Sequence, residues 1–268
     1  MAGAATAHRT SIDTFLRSLA AAPQRVLLLD YDGTLAPFRE ERDEAKPYPE
    51  IPGLLDQIGL LPNTVVSVVS GRPARDVAAL LGMHQPVEIW GSHGMERLMP
   101  TGEYQLHKLS ARPIEDLNQA AAQLADAGLH DRVESKPGAV AVHWRGLDPH
   151  DVQQIHVTAR RIMNAVALRA GLLLSSFDGG IELRVRNPNK GDVVQALLKN
   201  NPESRIAYLG DDMTDEDAFR ALASYGLTVL VRDEYRTTAA QAWIRPPDEL
   251  RKFLRNWLSA CGGTNEQE

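Results

Sequence analysis

One stretch constrains this chain more than any other: the unbroken apolar run Val26-Leu27-Leu28-Leu29 stops abruptly at Asp30-Tyr31-Asp32-Gly33-Thr34-Leu35. It reads as a buried strand that delivers acid to its own end. Residues i and i+2 of an extended segment point the same way, so Asp30 and Asp32 are expected to converge where the strand leaves the sheet. Two like charges that close call for a divalent cation or a shared proton. A polar turn after a core strand is the plainer alternative, because Asp and Gly favour turns.

The flanking sequence repeats the pattern. Residues 64–70 form a second β-branched, apolar run that ends in Ser70-Gly71-Arg72, and residues 87–90 a third that runs into Gly91-Ser92-His93-Gly94. Helical periodicity marks Ile12, Phe15, Leu16 and Leu19, then residues 54–61, and Pro73 is suited to the first position of another helix. Strand and helix alternate again after Lys190: residues 205–209 end in Gly210-Asp211-Asp212, Thr214 with Asp217 fits a helix-capping pattern, residues 227–231 form a strand, and Leu250, Phe253, Leu254, Trp257 and Leu258 line a last helix. The outer segments therefore predict a doubly wound α/β core.

Between them the character changes. Residues 113–127 and 151–170 read as helices, and each is followed by a hairpin: residues 132–145 turning at Pro137-Gly138, and residues 172–185 turning at Asp178-Gly179-Gly180. This αββαββ order predicts an inserted α+β module, giving a core over 1–107 and 187–268 and an insert over 108–186.

Composition excludes several classes. With net charge −6 and pI near 5.8, a general nucleic-acid or anionic-membrane binder is disfavoured, and any anionic substrate must be met by a local basic group. A single cysteine, Cys261, rules out an intramolecular disulfide framework or a cysteine-rich metal site. No apolar signal core opens the chain and no segment approaches membrane-spanning length, so a cytoplasmic protein is expected.

In an open parallel sheet ligands sit at the carboxyl ends of the strands. Four polar clusters fall there or at a helix start: Asp30 with Asp32, Ser70, Lys190, and Asp211 with Asp212 and Asp215. Such a set suits phosphoryl transfer, where catalysis is positioning plus electrostatic stabilisation of phosphoryl oxygens. Asp30 and Asp211 are the best direct ligands for Mg²⁺, with Asp32 contributing through its backbone carbonyl. Asp30 is the candidate nucleophile, Asp32 the general acid and base, and Ser70 and Lys190 the groups that hold the phosphoryl oxygens.

These residues together resemble the four motifs of the haloacid dehalogenase (HAD) superfamily of Mg²⁺-dependent phosphohydrolases, and the inserted module resembles its type IIB cap. The likeness is nearest to the trehalose-6-phosphate phosphatase family, carried by Ser70-Gly71-Arg72, Gly91-Ser92-His93-Gly94, Glu134-x-Lys136, His143-Trp144-Arg145, Glu182-x-Arg184 and Gly210-Asp211-Asp212-Met213-Thr214-Asp215. The resemblance implies a HAD-like Rossmannoid core and hydrolysis of trehalose 6-phosphate through an aspartyl-phosphate. It further implies that Asp212 and Asp215 support the metal-binding loop. Arg72, His93, Gly94, Glu134, Lys136, Arg145 and Glu182 would contact a small-molecule sugar phosphate, and functional coupling to a trehalose-6-phosphate synthase is a further expectation. Another sugar-phosphate phosphatase of the same branch, acting on sucrose 6-phosphate or a glycosyl-glycerate phosphate, a phosphomutase, and a non-catalytic module that keeps the fold are the alternatives.

Overall fold

A computed structural model describes residues 2–177 and 179–262, with side chains from residue 11 onward; Asp178, expected in a hairpin turn, lies outside the described residues. In chain order the first half of the core is α1 (Ala2–Leu19), β1 (Arg25–Leu29), α2 (Ile51–Gly59), β2 (Thr64–Val69), α3 (Ala74–Leu81), β3 (Glu88–Gly91), β4 (Glu96–Leu98) and β5 (Tyr104–Leu106). The insert comprises α4 (Ala111–Leu124), β6 (Val133–Lys136), β7 (Ala139–His143), α5 (Pro149–Ala170), β8 (Leu173–Phe177) and β9 (Gly180–Arg184). The core then resumes with α6 (Lys190–Asn200), β10 (Arg205–Gly210), α7 (Asp215–Leu222), β11 (Gly226–Val231), β12 (Ala242–Ile244) and α8 (Asp248–Ala260). Two compact units result: residues 106–188, and the remainder on either side.

The described strands of the core form one sheet in the order β12-β11-β10-β1-β2-β3-β4-β5, parallel from β12 to β3 and antiparallel between β3 and β4. Strand alternation explains why β1 is apolar at every position. Leu27 and Leu29 face α1, α2 and α8 in a cluster with Leu19, Leu55, Leu254 and Trp257, whereas Val26 and Leu28 face α6 and α7 in a cluster with Val194, Phe219 and Leu222. Because β2 follows on one side of β1 and β10 on the other, β1 is the topological switch point. The carboxyl ends of β1, β2 and β10 consequently open on one crevice.

The insert has its own antiparallel sheet, ordered β6-β7-β9-β8, with α4 and α5 against one face. Val140, Val142, Ile181 and Leu183 are buried, as are Leu117, Leu124 and Met163 from the helices. The opposite face carries Glu134, Lys136, Glu182 and Arg184, an alternation that fits a sheet covered by helices on one side only. Among the described residues, no helix is long and apolar enough to cross a membrane.

Candidate active site

Lys190 reaches the end of β1 because the helix it opens is well started. Asn189 caps α6 by accepting from the amides of Gly191 and Asp192, and the Asp192 side chain accepts from the Asn189 amide, a reciprocal box that fixes Lys190 in the first turn. Its amine, 2% exposed, lies 2.7 Å from Asp30 Oδ1 and 2.8 Å from Asp215 Oδ1. Burial alone would lower the pKa of this amine, but Asp215 and Asp30 outweigh it and hold the amine well above its ordinary value. Burial, and then the neighbouring Asp215, raise Asp30 as well, from 3.8 up to about 8, against the lowering effect of Lys190. Asp211 is likewise held well above the usual carboxylate range by burial and by Asp30.

Asp215 is saturated with donors. Oδ1 accepts from Lys190 and, at 2.7 Å, from the Tyr208 hydroxyl; Oδ2 accepts from the amides of Asp211 and Asp212, both at 3.0 Å. Asp212 accepts from the Thr214 amide and hydroxyl, each at 2.7 Å. This corrects the capping pattern expected of Thr214 and Asp217: Thr214 makes no side-chain cap to α7, because its hydroxyl turns back to Asp212. Carboxylate oxygens of Asp30, Asp211 and Asp215 lie within 4.8 Å of one another. Three hard oxygen donors, each raised above its ordinary pKa chiefly by burial, form a set that fits a small divalent cation. Asp211 lies so close over Gly33 that a Cβ there would come within 2.2 Å of its carboxylate, and Gly33 has a φ of +78°. Only glycine serves at that turn.

Asp32 departs from the expected convergence. Its two oxygens receive a forked pair of bonds from Arg72, Nε to Oδ2 and Nη2 to Oδ1, both at 2.7 Å, while Asp30 is held by Lys190. The i, i+2 rule fails here because the extended conformation ends at Leu29; the Tyr31 carbonyl already accepts from the amides of Leu35 and Ala36 in a turn. Arg72, expected at the substrate, is thus found on Asp32, with Nη1 donating to the Arg42 carbonyl at 2.8 Å.

Ser70 and the segment around His93 are zipped together. The His93 amide donates to the Ser70 carbonyl at 2.9 Å, the Ser92 amide to the Arg72 carbonyl at 2.7 Å, and the Arg72 amide to Ser70 Oγ at 3.0 Å. Ser92 and His93 adopt left-handed φ values of 47° and 58°, which seats the His93 ring on Gly71 beside the buried Gly94. His93 is not a member of the carboxylate cluster. Glu96 braces this corner, accepting from the Ala74 amide, the Ser92 hydroxyl and the Tyr104 hydroxyl.

Within the inserted unit, Glu134 and Glu182 both stand opposite Ala141, and Lys136 and Arg184 both stand opposite Ala139. The four polar side chains share one face, with the buried Ala139 and Ala141 between the rows. Lys136 pairs with Glu182 at 2.6 Å and His143 with Glu134 at 2.8 Å. Both the Lys136 and Glu182 side chains are under a tenth exposed. Arg145 packs over Gly179.

Sequence reasoning missed Asn189, Tyr208 and Glu96. Asn189-x-x-Asp192 was legible as a capping box; Tyr208 and Glu96 lie in strands, where nothing in the pattern distinguishes them from core and edge residues.

The family model described as trehalose-phosphatase matches residues 28–241. A trehalose-phosphate phosphatase of Mycobacterium marinum is 33% identical over 262 residues, covering 90% of this chain and 64% of that protein. One of Mycobacterium tuberculosis H37Rv is 33% identical over 249 residues, covering 87% and 61%. The chain thus spans somewhat under two thirds of the length of these relatives. In fold it is similar to the C-terminal domain of a Candida albicans trehalose-6-phosphate phosphatase (TM-score 0.75, 22% identity, 94% of this chain and 97% of that one). It is similar also to a HAD-superfamily phosphatase of Bacteroides thetaiotaomicron (TM-score 0.58, 15% identity, 89% and 95%). A Candida albicans trehalose synthase regulatory protein domain shares the fold too, at TM-score 0.68 and 11% identity, covering 91% of this chain and 97% of that one. With four fifths of its length matched by the family model and a third of its residues shared with these relatives, the chain belongs to the trehalose-phosphatase family.

Proposed function

We propose that this chain is a Mg²⁺-dependent phosphatase that hydrolyses trehalose 6-phosphate to trehalose and phosphate. The observation that carries the reading is the buried Asp30, gripped by Lys190 and clustered with Asp211 and Asp215 at the switch point of a sheet belonging to this family.

An Asp30 carboxylate oxygen attacks phosphorus, forming an acyl phosphate as the phosphorus–sugar oxygen bond breaks; the departing alkoxide takes its proton from Asp32. Water then attacks the phosphorus of the acyl phosphate, Asp32 takes the water's proton, and inorganic phosphate leaves with Asp30 restored. The Arg72 fork, two bonds of 2.7 Å, fixes the position of the Asp32 carboxyl group for both steps. Lys190 and Ser70 would position phosphoryl oxygens. Asp30, Asp211 and the Asp32 carbonyl would hold Mg²⁺, which when bound neutralises charge on the phosphoryl oxygens. Asp212 and Asp215 would support that loop through the hydrogen bonds described above.

Within the inserted unit the proposal assigns sugar-reading roles to Glu134, Lys136, Arg145 and Glu182; within the core it assigns substrate contacts to His93 and Gly94. A site built for particular hydroxyls rejects analogues that leave its polar groups unpaired. Phosphate release with Mg²⁺ across trehalose 6-phosphate, sucrose 6-phosphate, glucose 6-phosphate and an aryl phosphate tests this. Trehalose 6-phosphate is expected to be preferred and chelation to stop turnover. Glu134→Ala or Glu182→Ala should lower kcat/KM for trehalose 6-phosphate by about 1.5–3 kcal/mol per charged hydrogen bond lost, while sparing the aryl phosphate. Preference for another sugar phosphate, or full activity in both variants, would overturn the substrate assignment; transfer of phosphate between sugars without release would mark a mutase.

A further inference from the structure

The acidic loop after β10 is gripped from behind by Arg236. Its Nη2 donates to the Asp212 carbonyl at 2.5 Å and its Nε to the Asp211 carbonyl at 3.2 Å. Its Nη1 donates to Glu216 Oε1 at 2.5 Å and to the Thr237 carbonyl at 3.1 Å. Glu216 is itself immobilised: it is 4% exposed, and it accepts from the Thr238 hydroxyl at 2.7 Å and the Ala239 amide at 2.8 Å. The amides of Asp211 and Asp212 donate to Asp215 while their carbonyls accept from Arg236. Two successive residues therefore have both backbone polar groups committed. With its backbone fixed this way, Asp211 has little freedom in the direction its side chain takes.

We infer that Arg236, braced by Glu216, is a positioning residue that locks the Asp211–Asp212 backbone and so presents the Asp211 carboxylate to the divalent cation. The inference rests on the proposed reading of Asp211 as a metal-holding residue. The hydrogen bonds of Arg236 go to backbone carbonyls and to Glu216, so it acts through the loop. A lysine at this position would be a poor substitute, since one ammonium cannot reproduce the planar fork that reaches three carbonyls and a carboxylate together.

The test compares the parent chain with Arg236→Ala and Arg236→Lys, using Mn²⁺ as the probe. Mn²⁺ affinity is read by electron paramagnetic resonance, and amide hydrogen exchange is read on metal-stripped protein. Loss of such an outer support typically costs about 10–100-fold in metal affinity. That loss is expected in Arg236→Ala, with faster exchange confined to residues 211–215, a smaller loss in Arg236→Lys, and partial recovery of Arg236→Ala by added guanidinium. Parent-like affinity and exchange in both variants would overturn the clamp. A parent chain without Mn²⁺ affinity would overturn the metal reading and with it the cation half of the inference, a result distinct from the first. If Arg236→Ala does not fold, Glu216→Gln decides: loosened exchange at 211–215 with weaker Mn²⁺ binding supports the clamp, and parent values overturn it.

Discussion

Asp30→Asn is expected to abolish turnover of every phosphate ester while leaving the fold intact. An amide offers no anionic oxygen to attack phosphorus, and removing a covalent nucleophile typically costs on the order of 10⁴-fold or more. Folding should not suffer in the same way. The Asp30 carboxyl is buried and raised to about 8, so at neutral pH its charge is disfavoured in the metal-free protein, and an amide of the same shape carries no charge to bury. Lys190 keeps Asp215 as its partner at 2.8 Å. Steady-state phosphate release and thermal unfolding on the same preparation check both halves. Substantial activity, once deamidation back to Asp is excluded by mass, would remove Asp30 as the nucleophile.

Lys190→Met is expected to fail in the opposite manner, losing stability along with activity. Its amine is the counter-charge within hydrogen-bonding distance of both Asp30 and Asp215, and all three are buried. Breaking a buried pair by removing one partner costs about 3–5 kcal/mol, because a charge is left uncompensated. Protonation limits the damage at low pH. A carboxyl whose pKa is higher folded than unfolded binds its proton more tightly in the folded state. Its stabilising contribution is therefore complete below about 3.8 and lost as pH rises through about 8. Without Lys190 the folded value rises further, so the parent carboxyl ionises first as pH passes about 8 and the deficit of the variant against the parent should change mainly above that pH, growing between pH 7 and pH 9. Unfolding midpoints at those two pH values measure it. A deficit that shrinks as pH rises would show that Lys190 does not stabilise these carboxylates.

The pairing of Asp30 with Lys190 was legible in the sequence for a structural reason. Asp30 and Lys190 lie 160 residues apart, yet each sits where secondary structure alone aims it, one at the end of an apolar run and the other in the first turn of a capped helix. The alternation of strands and helices then brings β1, β2 and β10 side by side, so clusters at their carboxyl ends meet. What escaped the sequence had no local signal. β4, β5 and β12 are three-residue strands at or near the sheet's edges, and β5 is exposed throughout, so no buried face imprints a pattern on it. The Asp32–Arg72 fork depends on a turn that begins at Tyr31, two residues after β1 ends, which a period-two argument cannot anticipate. Arg236 belongs to a polar loop whose charge run looks like any solvated surface, and its importance lies in backbone carbonyls 24 and 25 residues away.

Covalent capture of the phosphoryl group on Asp30 is the most direct measurement. Enzyme mixed with trehalose 6-phosphate and Mg²⁺ is quenched in acid within the first turnover, digested and read by peptide mass. One phosphoryl group is expected on the peptide carrying Asp30, appearing and decaying at least as fast as steady-state turnover, and absent from Asp30→Asn. Full turnover with no phosphorylated peptide, or with the phosphoryl group on another residue, would contradict the mechanism.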